Sequence, residues 1–277
     1  MRLAPIVLFV YNRPDHTRQT VEALQQNILA DESELFIYSD APKGTASIQN
    51  VGLVRKYLMQ VQGFKNVTLI LRERNWGVAK SIIDGVTAVV GKYGRVVVLE
   101  DDLVTSPFFL TYMNRALETY ATDNRIMSIS GYNHPRRVMK FPRSYKNDVW
   151  LSLRNSSWGW GTWANRWGKV DWQVKDYETF SQNPFMQDKF NLGGEDLSAM
   201  LHSQMRGEID AWGIRFSYAH FKNGSYSVCP VISYVKNIGL DGSGIHCGRT
   251  SEYDGINLEE AVANPTFPLS IQPDQNV

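Results

Sequence analysis

Over the first 130 residues, unbroken apolar runs alternate with stretches of helical periodicity. "APIVLFVYN" at residues 4–12 is rich in β-branched residues and predicts a strand covered on both faces. "PDHTRQTVEALQQNI" follows, with Pro14 suited to a first helical turn and Val21, Leu24 and Ile28 at helical spacing. "ELFIYSD" reads as a second strand, and Ile48, Val51, Leu58 and Val61 mark a helix over residues 46–61. "NVTLILRE" is a third strand. Val78, Ile82, Val86 and Val89 form one face of the next helix, "RVVVLE" is a fourth strand, "PFFLTYMNRALETY" a helix and "RIMSISG" a fifth strand. This alternation predicts an α/β fold: a mostly parallel sheet with helices on both faces.

Near residue 132 the pattern changes. Residues 132–180 are rich in Trp, Arg, Asn and Gly and show little periodicity; residues 195–206 read as helical. From 207 onward the pattern is short strands and loops, with Gly239, Gly242, Gly244 and Gly248 among them. The expected organisation is a ligand-binding α/β half, residues 1–131, and an irregular half, 132–277, that completes the site within one domain.

Composition narrows the chemistry. The chain has 277 residues, 43% hydrophobic and 21% charged, with a net charge of +1. Such a balance supplies no global field to recruit nucleic acid. Two cysteines, Cys229 and Cys247, are too few for a disulfide framework; free thiols in a reducing compartment are expected, with one bridge as the alternative. No apolar run is long enough to span a bilayer. The expectation is a cytoplasmic protein whose membrane contact is at most peripheral, at the inner membrane.

The sharpest chemical signal is "GRVVVLEDDLV", where Glu100, Asp101 and Asp102 end a buried strand. Ligands of open parallel sheets bind beyond the carboxyl ends of the strands. Three adjacent acids repel one another, so a hard divalent cation, Mn²⁺ or Mg²⁺, is a natural partner. The rival reading is that the acids cap the following helix. The same edge carries the ends of the other strands: "VYNRPD" with Val10, Tyr11, Asn12 and Arg13; "YSDAPKG" with Asp40 and Lys43; and "RERNWGVAKS" with Lys80 and Ser81. Arg13 and Lys43 suit phosphates, and Asp40 suits a base or ribose. No G-x-G-x-x-G or Walker pattern occurs, which argues against dinucleotide and P-loop chemistry.

Together "FVYNRPD", "YSDAPKG", "NWGVAKS" and "LEDD" resemble the nucleotide-binding loops of GT-A glycosyltransferases. "IDAWGIRF" and "VCPVISYVKNIGLDGSGIHCG" are similar to segments of the inverting α-mannoside β-1,2-N-acetylglucosaminyltransferase family and its short bacterial relatives. The resemblance covers roughly residues 4–248, weakly over 132–195. It implies a GT-A fold and a UDP-sugar donor whose sugar passes to an oligosaccharide or lipid-linked glycan in surface polysaccharide synthesis. It also implies that Asp102 is the direct metal ligand, that Asp101 approaches the ribose, Glu100 the donor sugar, Arg13 the phosphates or sugar, and Asp40 the uracil. Ser81 stands where the family uses a His near the base.

Inverting transfer needs a general base. Asp210 in "GEIDAWGIR" is the candidate, and the resemblance places the family's base there. Glu195 and Asp196 are the rivals, with helix capping as their ordinary role. Trp212 is placed to pack on a sugar. His246 completes the metal shell or meets the diphosphate, or else is structural, and the glycine-spaced run 237–248 is expected to close over the donor. Trp158 and Trp160 are candidates for stacking on a pyranose, whereas Trp163 and Trp167 read as core. A sugar nucleotidyltransferase would share the acidic edge but want a glycine-rich loop after the first strand, where "YNRPDHT" has none. A non-catalytic carbohydrate-binding module would explain the tryptophans but not the triple acid.

Overall fold

The structure is a computed structural model, and it describes residues 2–242, 250, 251 and 253–273. The predicted alternation is present: β1 (Ile6–Val10), α1 (Pro14–Gln25), β2 (Glu34–Ser39), α2 (Thr45–Leu58), β3 (Asn66–Leu71), α3 (Val78–Tyr93) and β4 (Arg95–Glu100). β3, β2, β1 and β4 lie side by side and parallel. Their register fixes the functional edge. Phe9 pairs with Glu100 and Val10 with Ser39, so the loops after β1, β2 and β4 leave the sheet together.

The chain continues through β5 (Leu103–Thr105), α4 (Phe109–Thr119), β6 (Ile126–Ser130), β7 (Val149–Ser152), β8 (Trp160–Trp163) and α5 (Ala164–Trp167). It then forms α6 (Tyr177–Ser181), α7 (Pro184–Asn191), α8 (Leu197–Met205), α9 (Trp212–Lys222), β9 (Tyr226–Pro230) and β10 (Val235–Asn237). The large sheet has eight strands in the order β3-β2-β1-β4-β8-β6-β9-β7. β8 inserts antiparallel between β4 and β6, and β7 closes the far edge antiparallel to β9. The aperiodic region after residue 132 therefore supplies central sheet structure. Gly161 makes the insertion possible: a Cβ there would lie 2.9 Å from the Val96 carbonyl oxygen and 3.1 Å from Met113 Cε.

Helices cover both faces, as the alternation predicted. α1, α2 and α4 pack on one face through Val21, Leu24, Val54, Leu58 and Met113. α3, α5 and α9 cover the other through Ile82, Val86, Trp167, Trp212 and Phe216. A smaller cluster around Phe180, Phe190, Leu201 and Tyr218 ties α6–α8 to the outer side of α9.

Three local expectations are corrected. α1 stops at Gln25, and Ile28 is 59% exposed. Buried Asn27 anchors the turn instead, donating to Thr105 Oγ1 at 3.0 Å and accepting from Leu110 N–H at 2.9 Å. Ile48 lies on the outer face of α2 and is likewise exposed. The stretch 212–222, read as strand or loop, is helix α9. Its apolar residues face the sheet on one side and α7–α8 on the other, so no single amphipathic stripe marks it.

Candidate active site

A cavity of about 490 Å³ opens at the carboxyl edge of β1, β2 and β4, within the size range of small-ligand clefts. One wall comes from the strand ends: Val10, Tyr11, Asn12, Arg13, Asp40 and Lys43. Glu100, Asp101 and Asp102 line it too. Other lining residues come from the second half: Arg154, Asn155, Trp158 and the head of α9, Asp210 to Ile214. Asn237 and Gly239 close a third side.

Arg13 organises the triple acid. Its Nη2 donates to Asp101 Oδ1 and, at 2.9 Å, to Asp102 Oδ2. Asp101 Oδ2 also accepts from the Tyr11 backbone N–H at 3.1 Å. Burial by itself would lower the Arg13 guanidinium, but the charges of Asp101 and then Asp102 outweigh it and raise it. Burial, followed by the charges of Asp102 and Asp101, pushes Glu100 up to about 8. Asp102, unlike Asp101, accepts from no backbone N–H through its carboxylate; its partner there is the Arg13 guanidinium.

The β5–β10 ribbon brings the second half onto this motif. Lys236 pairs with Val104, Asn237 with Leu103, and Ile238 N–H donates to the Asp102 carbonyl at 2.8 Å. Gly239 then lies flat against the acid. A Cβ there would collide with Asp102 Oδ2 and come within 2.7 Å of Arg13 Nη1. Among the described residues no group of three or more His, Cys, Asp or Glu side chains is arranged to hold a metal alone. The donor set nevertheless fits a Mg²⁺- or Mn²⁺-type site, which takes one or two protein carboxylates and leaves the remaining positions to phosphate and water. Gly239 keeps side-chain bulk away from Asp102, the carboxylate such an ion would use.

Asp40 lines the cavity, but its carboxylate already serves the backbone. Oδ1 accepts from Ala41 N–H at 2.9 Å, both oxygens from Trp76 N–H at 3.0 Å, and Oδ2 from Gly77 N–H at 3.0 Å. This clamp fixes the turn before α3, where Gly77 has φ of +76°. Asp40 thus has a holding role for the loop, whose Asn75 also lines the cavity. Arg55 supports the same corner, donating to the carbonyls of Ser39, Asp40 and Arg72 at 3.3, 3.3 and 2.7 Å. Ser81 lines the cavity with its buried Oγ unpartnered.

Lys80 does not line the cavity; its ammonium lies 4.4 Å from the Trp76 ring centroid, and Arg72 stacks on the same ring at 3.8 Å. The expectation that it meets the donor is corrected: as the helix turns, Ser81 faces the cavity and Lys80 does not.

Asp210 and the Glu195–Asp196 pair separate clearly. Asp210 lines the cavity, and its Oδ2 lies 3.4 Å from the Ala79 backbone N–H in the first turn of α3. Glu195 and Asp196 lie outside the cavity lining. Asp196 holds Arg154 in a two-point pair at 2.8 and 3.1 Å, which positions the Arg154 side chain at the rim. Leu197 and Met200, on the helix that follows the pair, do line the cavity. Trp158 lines the cavity, edge-on to Tyr132 at 4.4 Å. Trp160 does not: it is fully buried in β8, stacked on Trp167 at 5.5 Å and Trp212 at 4.7 Å. Its expected sugar contact is corrected to core packing, because the alternation of β8 turns it onto the α9 face of the sheet. Trp163 and Trp167 are core, as expected. Trp212 is both core and cavity wall. Cys229 is a buried free thiol. His246, Cys247 and the second half of the expected closing loop, residues 243–248, lie outside the described residues.

Asn75, Arg154, Asn155, Ser217 and Asn237 also line the cavity, and sequence reasoning singled out none of them. Each is a common polar residue in a loop or a buried helix, and nothing local marks it.

Residues 6–187, well over half of the chain, match the model for glycosyl transferase family 2. The chain belongs to this family. The three acids at the end of β4 and Asp210 line one cavity of the chain. A curated relative is the alpha-1,3-mannosyl-glycoprotein 2-beta-N-acetylglucosaminyltransferase of Arabidopsis thaliana, 23% identical over 193 residues. The match takes in 62% of this chain but only 41% of that protein. Among solved structures, S. aureus TarS residues 1–349 in complex with UDP is similar with a TM-score of 0.47 and 12% identity, covering 83% of this chain and 59% of that one. The mannosyltransferase PcManGT from Pyrobaculum calidifontis, in complex with GDP-Man and Mn²⁺, has a TM-score of 0.42 and 15% identity, covering 58% of this chain and 45% of that one. No helix among the described residues is long and apolar enough to cross a membrane.

Proposed function

We propose that this family 2 member is a metal-dependent, inverting glycosyltransferase that moves a sugar from a UDP-sugar to an oligosaccharide or lipid-linked glycan. The setting is bacterial surface polysaccharide synthesis, at the cytoplasmic face of the inner membrane. The observation that carries the reading is the meeting of two chemistries in one cavity: the Glu100–Asp101–Asp102 edge, and Asp210 on the wall supplied by α9.

Residues 10–13, 40–43 and 75–81 form the nucleotide side. Asp101, fixed by Arg13 and by Tyr11 N–H, is the candidate for the ribose, with Arg13 and Lys43 facing the phosphates. Asp102 would hold Mn²⁺ or Mg²⁺, which supplies positive charge for the departing diphosphate. Glu100, which lines the cavity beside them, is the candidate for the donor sugar. Asp210 takes the proton of the acceptor hydroxyl as that oxygen attacks the anomeric carbon. The bond from that carbon to the phosphate oxygen breaks in the same displacement, and UDP leaves. One displacement inverts the centre, so an α-linked donor gives a β-linked product.

A screen of UDP-glucose, UDP-galactose and UDP-N-acetylglucosamine for Mn²⁺-stimulated release of UDP tests the reading, since slow hydrolysis needs no acceptor. Proton NMR of the released sugar at early times should show the β-anomer. Release of the α-anomer would exclude the single displacement.

A further inference from the structure

The part of the cavity lining that comes from the second half contains an unexplained polar group. Asn155 lines the cavity and is 7% exposed. Neither its Oδ1 nor its Nδ2 has a hydrogen-bond partner among the described residues. A buried amide left this way is unfavourable, and native proteins rarely keep one without a reason. Its backbone is not loose: Asn155 N–H donates to the Ser217 Oγ of α9 at 3.2 Å, which ties the residue to the cavity wall. The side chain is therefore held in place without being used by the fold.

We infer that Asn155 reads the sugar bound in this cavity, through a sugar group that both accepts and donates hydrogen bonds: a hydroxyl or an acylamino substituent. The inference rests on the cavity being a nucleotide-sugar site. A carboxamide is neutral and offers two donors and one acceptor. It gives no charge to a phosphate; among the cations lining the cavity, Arg13 and Lys43 lie on the strand-end wall, and Arg154, next to Asn155, is paired with Asp196. Trp158, on the same segment as Asn155, adds an aromatic surface, and Tyr132 packs edge-on against it. An aromatic ring and a neutral amide together match a pyranose, which is apolar on its faces and hydroxylated at its rim. Either the transferred sugar or the acceptor sugar carries this chemistry.

The test compares wild type with Asn155→Leu and Asn155→Ala, all with Mn²⁺ present. UDP alone is titrated first. UDP-glucose, UDP-galactose and UDP-N-acetylglucosamine follow, and then the methyl glycosides of the same sugars and of mannose with UDP bound. Both variants should bind UDP within about twofold of wild type and lose about tenfold or more in affinity for sugar. Loss confined to the UDP-sugars assigns Asn155 to the transferred sugar; loss confined to the methyl glycosides assigns it to the acceptor. Melting gives a readout that a structural role would not. Asn155→Leu, which removes an unsatisfied amide at similar volume, should melt at or above wild type, by up to about 2 to 4 °C. Unchanged sugar affinity in both variants overturns the inference, as does a wild type that gains nothing from any of the sugars. A large drop in melting temperature in both variants also overturns it, since the amide would then serve the fold. Absence of Mn²⁺-dependent UDP binding in wild type instead removes the glycosyltransferase reading on which the inference stands.

Discussion

Gly239 lies against Asp102 so closely that a Cβ on the glycine would collide with the carboxylate. The two are far apart in sequence and are joined by the β5–β10 ribbon, where Asn237 pairs with Leu103 and Ile238 N–H donates to the Asp102 carbonyl. The second half of the chain thus sets the position of the acid that ends the first-half motif. Gly239→Ala should displace Asp102 and Arg13 while leaving the buried strands intact. Mn²⁺-dependent UDP affinity should fall about tenfold or more, the scale of one lost charge-assisted contact, with an unchanged far-ultraviolet circular dichroism spectrum. Wild-type affinity would mean that the contact places nothing needed for binding.

Asp210 is the cavity's candidate base. Asp210→Asn keeps the shape and the 3.4 Å approach to Ala79 N–H but removes basicity. Turnover should fall by about two to four orders of magnitude with UDP affinity little changed. Glu195→Gln and Asp196→Asn should retain most turnover, because neither residue lines the cavity. The reverse pattern in steady-state rates would move the base to the Glu195–Asp196 pair.

Asp40 serves as a clamp for three backbone N–H groups, those of Ala41, Trp76 and Gly77. Asp40→Ala leaves them without their acceptor in a buried corner. Stability in urea should fall by about 1–3 kcal/mol. Nucleotide affinity should fall too, because the loop carrying Asn75 and Gly77 loosens. A variant with full stability but lost affinity would return Asp40 to a direct contact with the base.

Much of this design was visible in the sequence, for a physical reason. β1 to β4 are local apolar runs separated by periodic helices, and their parallel order places the loops after "FVYN", "YSD" and "LEDD" at one edge. Those loops carry Arg13, Asp40 and the three acids. The rest depends on non-local contacts. β8 is four residues long and earns its place only by pairing with β4 and β6. Trp160 therefore reads in the sequence as a glycine-flanked candidate for sugar stacking and is buried in the fold. α9 is buried on two sides and shows no stripe. Asp40 was legible as a site residue but not as a clamp, since its partners lie up to 37 positions away. Asn155 carries no local signal at all.

His220 gives the fold a defined acid sensitivity. It is fully buried, with Nδ1 2.8 Å from the Phe216 carbonyl and Nε2 2.8 Å from Ser128 Oγ. Burial, only partly opposed by the Phe216 bond, lowers it from 6.5 to about 4. The unfolded chain then binds a proton that the folded chain refuses between those values. The contribution is whole above pH 6.5 and is lost as pH falls toward 4, by up to about 3 kcal/mol. Urea unfolding across this range should show the slope in wild type and a flatter one in His220→Gln. Equal slopes would assign the acid sensitivity to other groups.

The most direct test of the central claim is a calorimetric titration of UDP into wild type and Asp102→Ala, each with and without Mn²⁺. The account predicts tight binding by wild type only when Mn²⁺ is present, and an Asp102→Ala protein that is folded but no longer responds to the metal. Binding by wild type that is indifferent to Mn²⁺, or a full metal response in folded Asp102→Ala, would contradict it.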